Sequence, residues 1–279
     1  MSLLFSNELR VVLCRDQVQL VQIGRQLTSK GITQRVLEKK SIPCMVNSDT
    51  QWSDSVLALE GALSELTKKP AYAKVILSNH FMRYTMVPWN ESLSNETEEI
   101  VYAKYCFSQL YGISADSWEL KINQDFAGAP QFVSAVDGEL IDTLRKLFSA
   151  AKINLKSVQP HLMTAFNNCH VHLKSHDAWL VLFEQGNLCM GLVQKGHWRS
   201  VRTIKVRNDW LAKLPDILDR ESSLTELDIP SDEVFLWAPD HWKDPLPKNT
   251  QWKIHKLQPT VKPDFAPDYD ARFAIAMCG

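Results

Sequence analysis

LRVVLCRDQVQLVQI (Leu9–Ile23) and WLVLFEQGNLCMGLV (Trp179–Val193) are two versions of one object. Each is an apolar strand, a short polar turn and a second strand, the pattern of a β-hairpin. The turns are Cys14-Arg15-Asp16-Gln17 and Glu184-Gln185-Gly186-Asn187. A third strand follows each hairpin: Gln34–Ile42 after a turn at Ser29-Lys30-Gly31, and Trp198–Ile204 in the second half. Each meander then leads into a helix. Over Ser53–Leu66, Val56, Leu57, Leu59, Leu63 and Leu66 recur at helical spacing behind a Ser-Asp cap. Over Trp210–Glu221, Leu211, Leu214, Ile217 and Leu218 do the same, with Pro215 expected to kink the helix or to mark its true start. A short apolar strand closes each series, Lys74–Leu77 and Val234–Trp237. A central strand reached through a crossover helix has this look. The chain is therefore read as an α/β protein with an internal duplication.

Outside the repeat, residues 81–157 carry a second rhythm. Strands are expected at Met82–Val87, Trp118–Ile122, Gln131–Ala135 and Asn154–Ser157, and helices at Glu96–Tyr111, stopped by Gly112, and Gly138–Ala151. This is read as an α+β subdomain inserted at about 81–157 into a first lobe of 1–172, with a second lobe over 173–279. His161–His172 is expected as the helix that closes the first lobe. Gln251–Leu257 is read as a strand, Pro259–Pro267 as extended because of its prolines, and Asp270–Met277 as a short helix.

The 279 residues are 45% hydrophobic and 23% charged, enough for a substantial core, and the formal net charge of -1 disfavours a general nucleic-acid binder. The adjacent lysine pairs Lys39-Lys40 and Lys68-Lys69 sit at element ends and make no basic patch. No run approaches the roughly 18 apolar residues of a membrane span. Met1–Glu8 lacks the basic start and apolar core of a signal peptide, so a cytoplasmic location is expected. The six cysteines are scattered without a CxxC and are read as reduced, mostly buried thiols.

Further residues refine the fold. Val75-Ile76-Leu77-Ser78-Asn79-His80-Phe81-Met82-Arg83-Tyr84, then Val87-Pro88-Trp89, then Tyr102-Ala103, Phe107 and Tyr111-Gly112, together with the tail Ala271–Gly279 (ARFAIAMCG), carry a resemblance. In these, and in its layout over nearly the whole length, the chain resembles the actin-like, ribonuclease H-like two-lobed fold in its FtsA form, with the subdomain inserted in the first lobe. Within that fold it is most similar to the PilM, MshI and GspL cytoplasmic proteins of pilus assembly and type II secretion. The resemblance implies a non-catalytic cytoplasmic scaffold in assembly of a type IV (MSHA-like) pilus or in type II secretion. It also implies an inner-membrane partner bound through its cytoplasmic tail, which would hold the protein peripherally at that membrane.

In actin-like ATPases the paired hairpins hold the phosphates of ATP, and this chain departs from that pattern. Val11, Val12 and Leu13 fill the strand where an Asp would support Mg²⁺, and apolar side chains cannot coordinate a hard cation. The first turn has no glycine, and Phe183-Glu184-Gln185-Gly186 stands where Asp-x-Gly is expected. Ala238-Pro239-Asp240-His241 replaces the adenine-side glycine pair. No cofactor and no catalytic residue are therefore expected. The alternative is an active ATPase that binds Mg-ATP through Arg15, Asp16, Glu184 and Gly186.

Other candidates are weighed on their own surroundings. Arg15 suits a phosphate, but also a solvent-facing turn beside Asp16. Cys169, His170, His172 and His176 fit no zinc spacing, and no metal site is expected. His80, beside Ser78 at a strand end, has no carboxylate or nucleophile tied to it by spacing and is read as structural. Of the nine tryptophans, Trp179, Trp198 and Trp237 are placed in the core, and Trp89, Trp242 and Trp252 near loops or edges. Phe81, Arg83, Tyr84, Trp89, Tyr105 and Tyr111 are the candidate partner-binding residues, presented to an extended peptide at a sheet edge or in the groove between the first lobe and its insertion.

Overall fold

A strand buried on both faces has no reason to alternate, and β1 (Glu8–Leu13) and β4 (Tyr72–Leu77) are of this kind, with Val11, Val12, Leu13, Val75 and Leu77 all at most 1% exposed. The computed structural model describes residues 7–28, 31–45, 52–67, 70–173, 176–225, 231–248 and 250–278. The turn expected at Ser29-Lys30, the pair Lys68-Lys69, the side chain of His172 and residues 1–6 of the N-terminal segment lie outside that description.

In the first unit, β1 pairs antiparallel with β2 (Gln17–Thr28), and β2 with β3 (Gly31–Pro43). On its other side β1 pairs parallel with β4, and β4 with β8 (Asn154–Pro160), giving the order β3-β2-β1-β4-β8. Helix α1 (Ser53–Ser64) connects β3 to β4 and buries Val56, Leu59 and Leu63, as its spacing requires. Helix α3 (Gly138–Ala150) buries Leu140, Ile141, Leu144 and Phe148 ahead of β8.

The second unit repeats the plan. Strands β9 (Ala178–Glu184), β10 (Asn187–Gln194), β11 (His197–Lys205), β12 (Glu233–Trp237) and β13 (Lys253–Lys256) form a sheet in the order β11-β10-β9-β12-β13. Three antiparallel strands are again followed by two parallel ones. Helix α5 (Trp210–Leu224) buries Trp210, Leu214 and Leu218 against Trp179, Met190 and Leu236. It runs through Pro215, so Pro215 does not mark its start; the missing N–H removes the donor that would meet the Leu211 carbonyl.

A third sheet, β5-β7-β6, is built from β5 (Met82–Val87), β6 (Trp118–Asn123) and β7 (Gln131–Asp137), with α2 (Glu96–Tyr111) completing its core of Val87, Ala103, Phe107, Val133 and Ala135. The ends of α2 are set by sequence. The Asn95 side chain accepts from the Glu98 amide at 3.0 Å, and Gly112, at φ 75, stops the helix with its N–H on the Ser108 carbonyl at 2.9 Å.

The two units do not follow the expected division into 1–172 and 173–279. The first comprises residues 1–82, 138–168 and 259–279, the second 83–137 and 169–258. The segment expected at 81–157 is shorter, because β8 pairs with β4 and α3 goes with it. The tail belongs to the first unit: α6 (Ala274–Met277) packs on β1 and β2. Nor is the proline-rich stretch wholly extended. Residues Pro263–Asp268 form a 3-10 turn, tolerated because Pro263 stands where no intrahelical donor is needed.

Candidate functional site

The first hairpin turn is held by its own bonds. The Cys14 amide donates to the Gln17 carbonyl at 3.0 Å, the Ser55 hydroxyl to the Cys14 carbonyl at 2.6 Å, and the Cys44 amide to the Asp16 carbonyl at 2.7 Å. None of Cys14, Arg15, Asp16 and Gln17 has a positive φ, whereas an anion-binding nest commonly uses one to converge successive amides. Arg15 projects into solvent and Asp16 is half-buried.

In the second unit, Glu184 is half-buried at the end of β9, and Gly186 follows in the exposed turn at φ 80. Glycine suits that backbone, and its carbonyl accepts the Val206 amide at 3.0 Å. Beyond β12, Pro239–His241 is a 3-10 turn. Lys256 Nζ fastens it, donating to the carbonyls of His241 and Trp242 at 2.7 Å and of Asp244 at 2.5 Å. The His241 ring stands edge-on to Phe183 at 4.8 Å and Trp210 at 5.4 Å, while those two stack at 4.2 Å. Arg15 and Asp16 thus belong to one unit and Glu184 and Gly186 to the other.

The partner candidates divide by burial. Phe81 and Tyr84 are each 6% exposed. Tyr84 stacks on Phe132 at 5.7 Å, and Phe132 on Trp198 at 5.0 Å, so Tyr84 is a packing residue. Trp89, Tyr105 and Tyr111 are exposed, on the strand–helix connection and on α2. Tyr111 leans on Phe107 and Trp118, with ring centroids 5.8 and 5.3 Å away. Burial raises the pKa of its phenol, and the nearby charge of half-buried Arg83 acts against that rise. Val101, Leu110 and Ile113 are also exposed on this subdomain. Apolar residues fall all round α2 instead of in one stripe, and that is the signal in the sequence for an apolar face left exposed.

Other candidates resolve into packing. Cys169 is buried, which pushes its thiol up to about 12, while neighbouring His170 is exposed. Among the described residues no group of three His, Cys, Asp or Glu side chains is arranged to hold a metal. The Ser78 hydroxyl lies 3.1 Å from His80 Nδ1, and Asn79 Oδ1 accepts the Leu162 amide at 3.2 Å, so this turn caps α4 (His161–Leu173). Trp252, expected near an edge, is buried, with its indole N–H on Asp219 at 2.8 Å. Among the described residues no helix is long and apolar enough to cross a membrane.

No protein-family model matches the chain, and no curated protein matches it in sequence. Solved structures do match in fold. A chain of the PilM-PilN type IV pilus biogenesis complex is 12% identical, with 96% of each chain covered and a TM-score of 0.66. The cytoplasmic domain of EpsL, an inner membrane component of the type II secretion system of Vibrio cholerae, is 12% identical over 91% of this chain and 90% of that one, with a TM-score of 0.57. A protein of unknown function from Bacteroides thetaiotaomicron, described as having an actin-like ATPase fold, is 8% identical over 99% of this chain and 97% of that one, with a TM-score of 0.60. The fold of this chain is the actin-like one.

Proposed function

We propose that this chain is a non-catalytic scaffold in the machinery of type IV pilus assembly or type II secretion. It docks on the cytoplasmic tail of an inner-membrane partner. The observation that supports the reading is an actin-like fold in which the first hairpin turn and the turn after β12 are closed by bonds within the protein. The first turn is closed by the Ser55 and Cys44 bonds, and the segment after β12 is a proline turn clamped by Lys256 and filled by His241, Phe183 and Trp210. The fold shared with a PilM chain and with the EpsL cytoplasmic domain supports the choice of machinery.

The residues proposed for docking are Trp89, Tyr105 and Tyr111, exposed on the inserted subdomain, with half-buried Arg83 on β5. Aromatic anchors of this kind bury large area at little entropic cost. Strand β5 is an edge of its sheet and offers main-chain bonds to an extended peptide.

The test is capture of inner-membrane proteins from the source cell by tagged full-length chain and by a Trp89→Ala/Tyr105→Ala/Tyr111→Ala variant. Retention of a single-span assembly protein by the wild type, lost in the variant and competed by that protein's tail peptide, is expected. Equal retention by both, or none by either, contradicts the assignment.

A further inference from the structure

We propose that the far end of the β2–β3 hairpin is a contact for an anionic lipid surface, made by this chain itself and independent of the tail-docking reading. The hairpin is longer than the sheet that carries it. β1 ends its pairing at Glu8↔Ile23, while β2 and β3 run on through five further pairs, from Gly24↔Arg35 to Thr28↔Gly31. That is about 15 Å of two-stranded arm beyond β1. A two-stranded arm gains little stability by itself, and this one carries apolar side chains that the core does not use. Leu27 is 67% exposed and Ile32 50%. They are paired directly across the strands, so both stand on one face.

The surroundings of this apolar pair are basic. From Gln17 to Leu37 the chain has no Asp or Glu, although its formal net charge is -1. Arg25 is paired with Gln34 and shares the face of Leu27 and Ile32. Lys262, exposed, reaches the same face from the tail, with its Nζ 3.4 Å from Gln34 Oε1. Arg35, also exposed, lies on the opposite face of the arm. Among the described residues none of these three cations is in an ion pair, and Arg25 donates instead to the Tyr72 hydroxyl at 2.9 Å. A carboxylate does approach this end: Asp264 Oδ2 accepts the Gln34 amide at 2.9 Å. Glu38 follows on β3 only after the bulge opposite Gln22 and Ile23.

An apolar pair on a projecting arm, flanked by cations, matches the boundary of an anionic bilayer. The aliphatic side chains enter the zone between headgroup and acyl chain, and the cations meet lipid phosphates. A nucleic acid offers the phosphates but no acyl layer for Leu27 and Ile32, and a purely apolar groove would leave the cations unanswered. Two aliphatic side chains and three cations make a weak, reversible contact. Such a contact orients the chain at a membrane and does not anchor it alone.

Vesicle co-sedimentation of the full chain in low-salt buffer tests this, with phosphatidylcholine alone and with phosphatidylcholine and phosphatidylglycerol in equal parts. Binding to the mixed vesicles, absent with phosphatidylcholine alone and lost in high salt, is expected. The variants Leu27→Ser/Ile32→Ser and Arg35→Gln/Lys262→Gln change only exposed residues. Each is expected to weaken binding by about tenfold while unfolding at the wild-type urea concentration. The Trp89→Ala/Tyr105→Ala/Tyr111→Ala variant is expected to bind vesicles as the wild type does, which separates this contact from tail docking. No binding to the mixed vesicles, equal binding to phosphatidylcholine, or unchanged binding in either hairpin variant overturns the proposal. So does loss of binding in the aromatic variant, or tighter binding of a duplex oligonucleotide than of the mixed vesicles.

Discussion

Gly191 sits mid-strand in β10, where a side chain would be expected to add to the core. A Cβ built there would lie 2.2 Å from Cζ3 of Trp198 on β11. The bare backbone lets the indole lie against it, and the outer face of that ring receives Phe132 at 5.0 Å. One missing methyl group thereby fixes how β11 meets the inserted subdomain. Gly191→Ala is expected to destabilise the protein by about 1–3 kcal/mol, since the buried Trp198 has no room to retreat. Urea unfolding checks this: the midpoint should fall at unchanged slope, and an unchanged midpoint would show that the ring moves freely. A glycine inside a strand pattern is legible as a place of close approach. Which ring approaches is not, because Trp198 and Phe132 are brought together only by tertiary structure.

The tail and the inserted segment are where the elements taught most. Residues 259–278 return to the first unit, and Arg10 holds their end by the carbonyls of Ala276 and Cys278. Arg10 is oriented by Glu8, and both side chains are at most 4% exposed. Burial raises the Glu8 carboxyl, but Arg10 and then Lys74 outweigh it and hold the group below its ordinary 4.5. The charged carboxylate therefore contributes stability in full above pH 4.5, and this is lost as the pH falls through the lower value of the folded state. Glu8→Gln removes a carboxylate bound to buried Arg10 and is expected to cost about 3 kcal/mol at neutral pH. The difference between variant and wild type should shrink below pH 4.5. Denaturant unfolding at pH 7 and pH 3.5 measures both, and a difference independent of pH would refute the assignment of Glu8 as the charged partner. Little of this could be read in sequence. Glu8 and Arg10 alternate with apolar residues as an ordinary strand edge would, and the proline-rich tail has no pattern that names its partner. For the same reason the inserted segment seemed to reach residue 157, since the parallel pairing of β8 with β4 joins residues far apart in the chain.

At the scale of the whole molecule, the duplication was plain in the chain because it is written in local patterns: two apolar hairpins, two amphipathic helices and two buried strands. Each five-stranded sheet has the same order, three antiparallel strands followed by two parallel ones. The departures of the hairpins were equally visible, with no glycine in the first turn and Glu184 where an Asp is expected in the second. The fastening of the Pro239 turn by Lys256 and the packing of the His241 ring against Phe183 and Trp210 were not, since they depend on side chains that meet only after folding. The central claim is that this actin-like chain keeps the architecture of a nucleotide-binding fold for assembly work without using a nucleotide. Isothermal titration of the full chain with Mg-ATP tests it most directly. No heat beyond dilution is expected, whereas a saturable isotherm that vanishes on Glu184→Ala would contradict the claim.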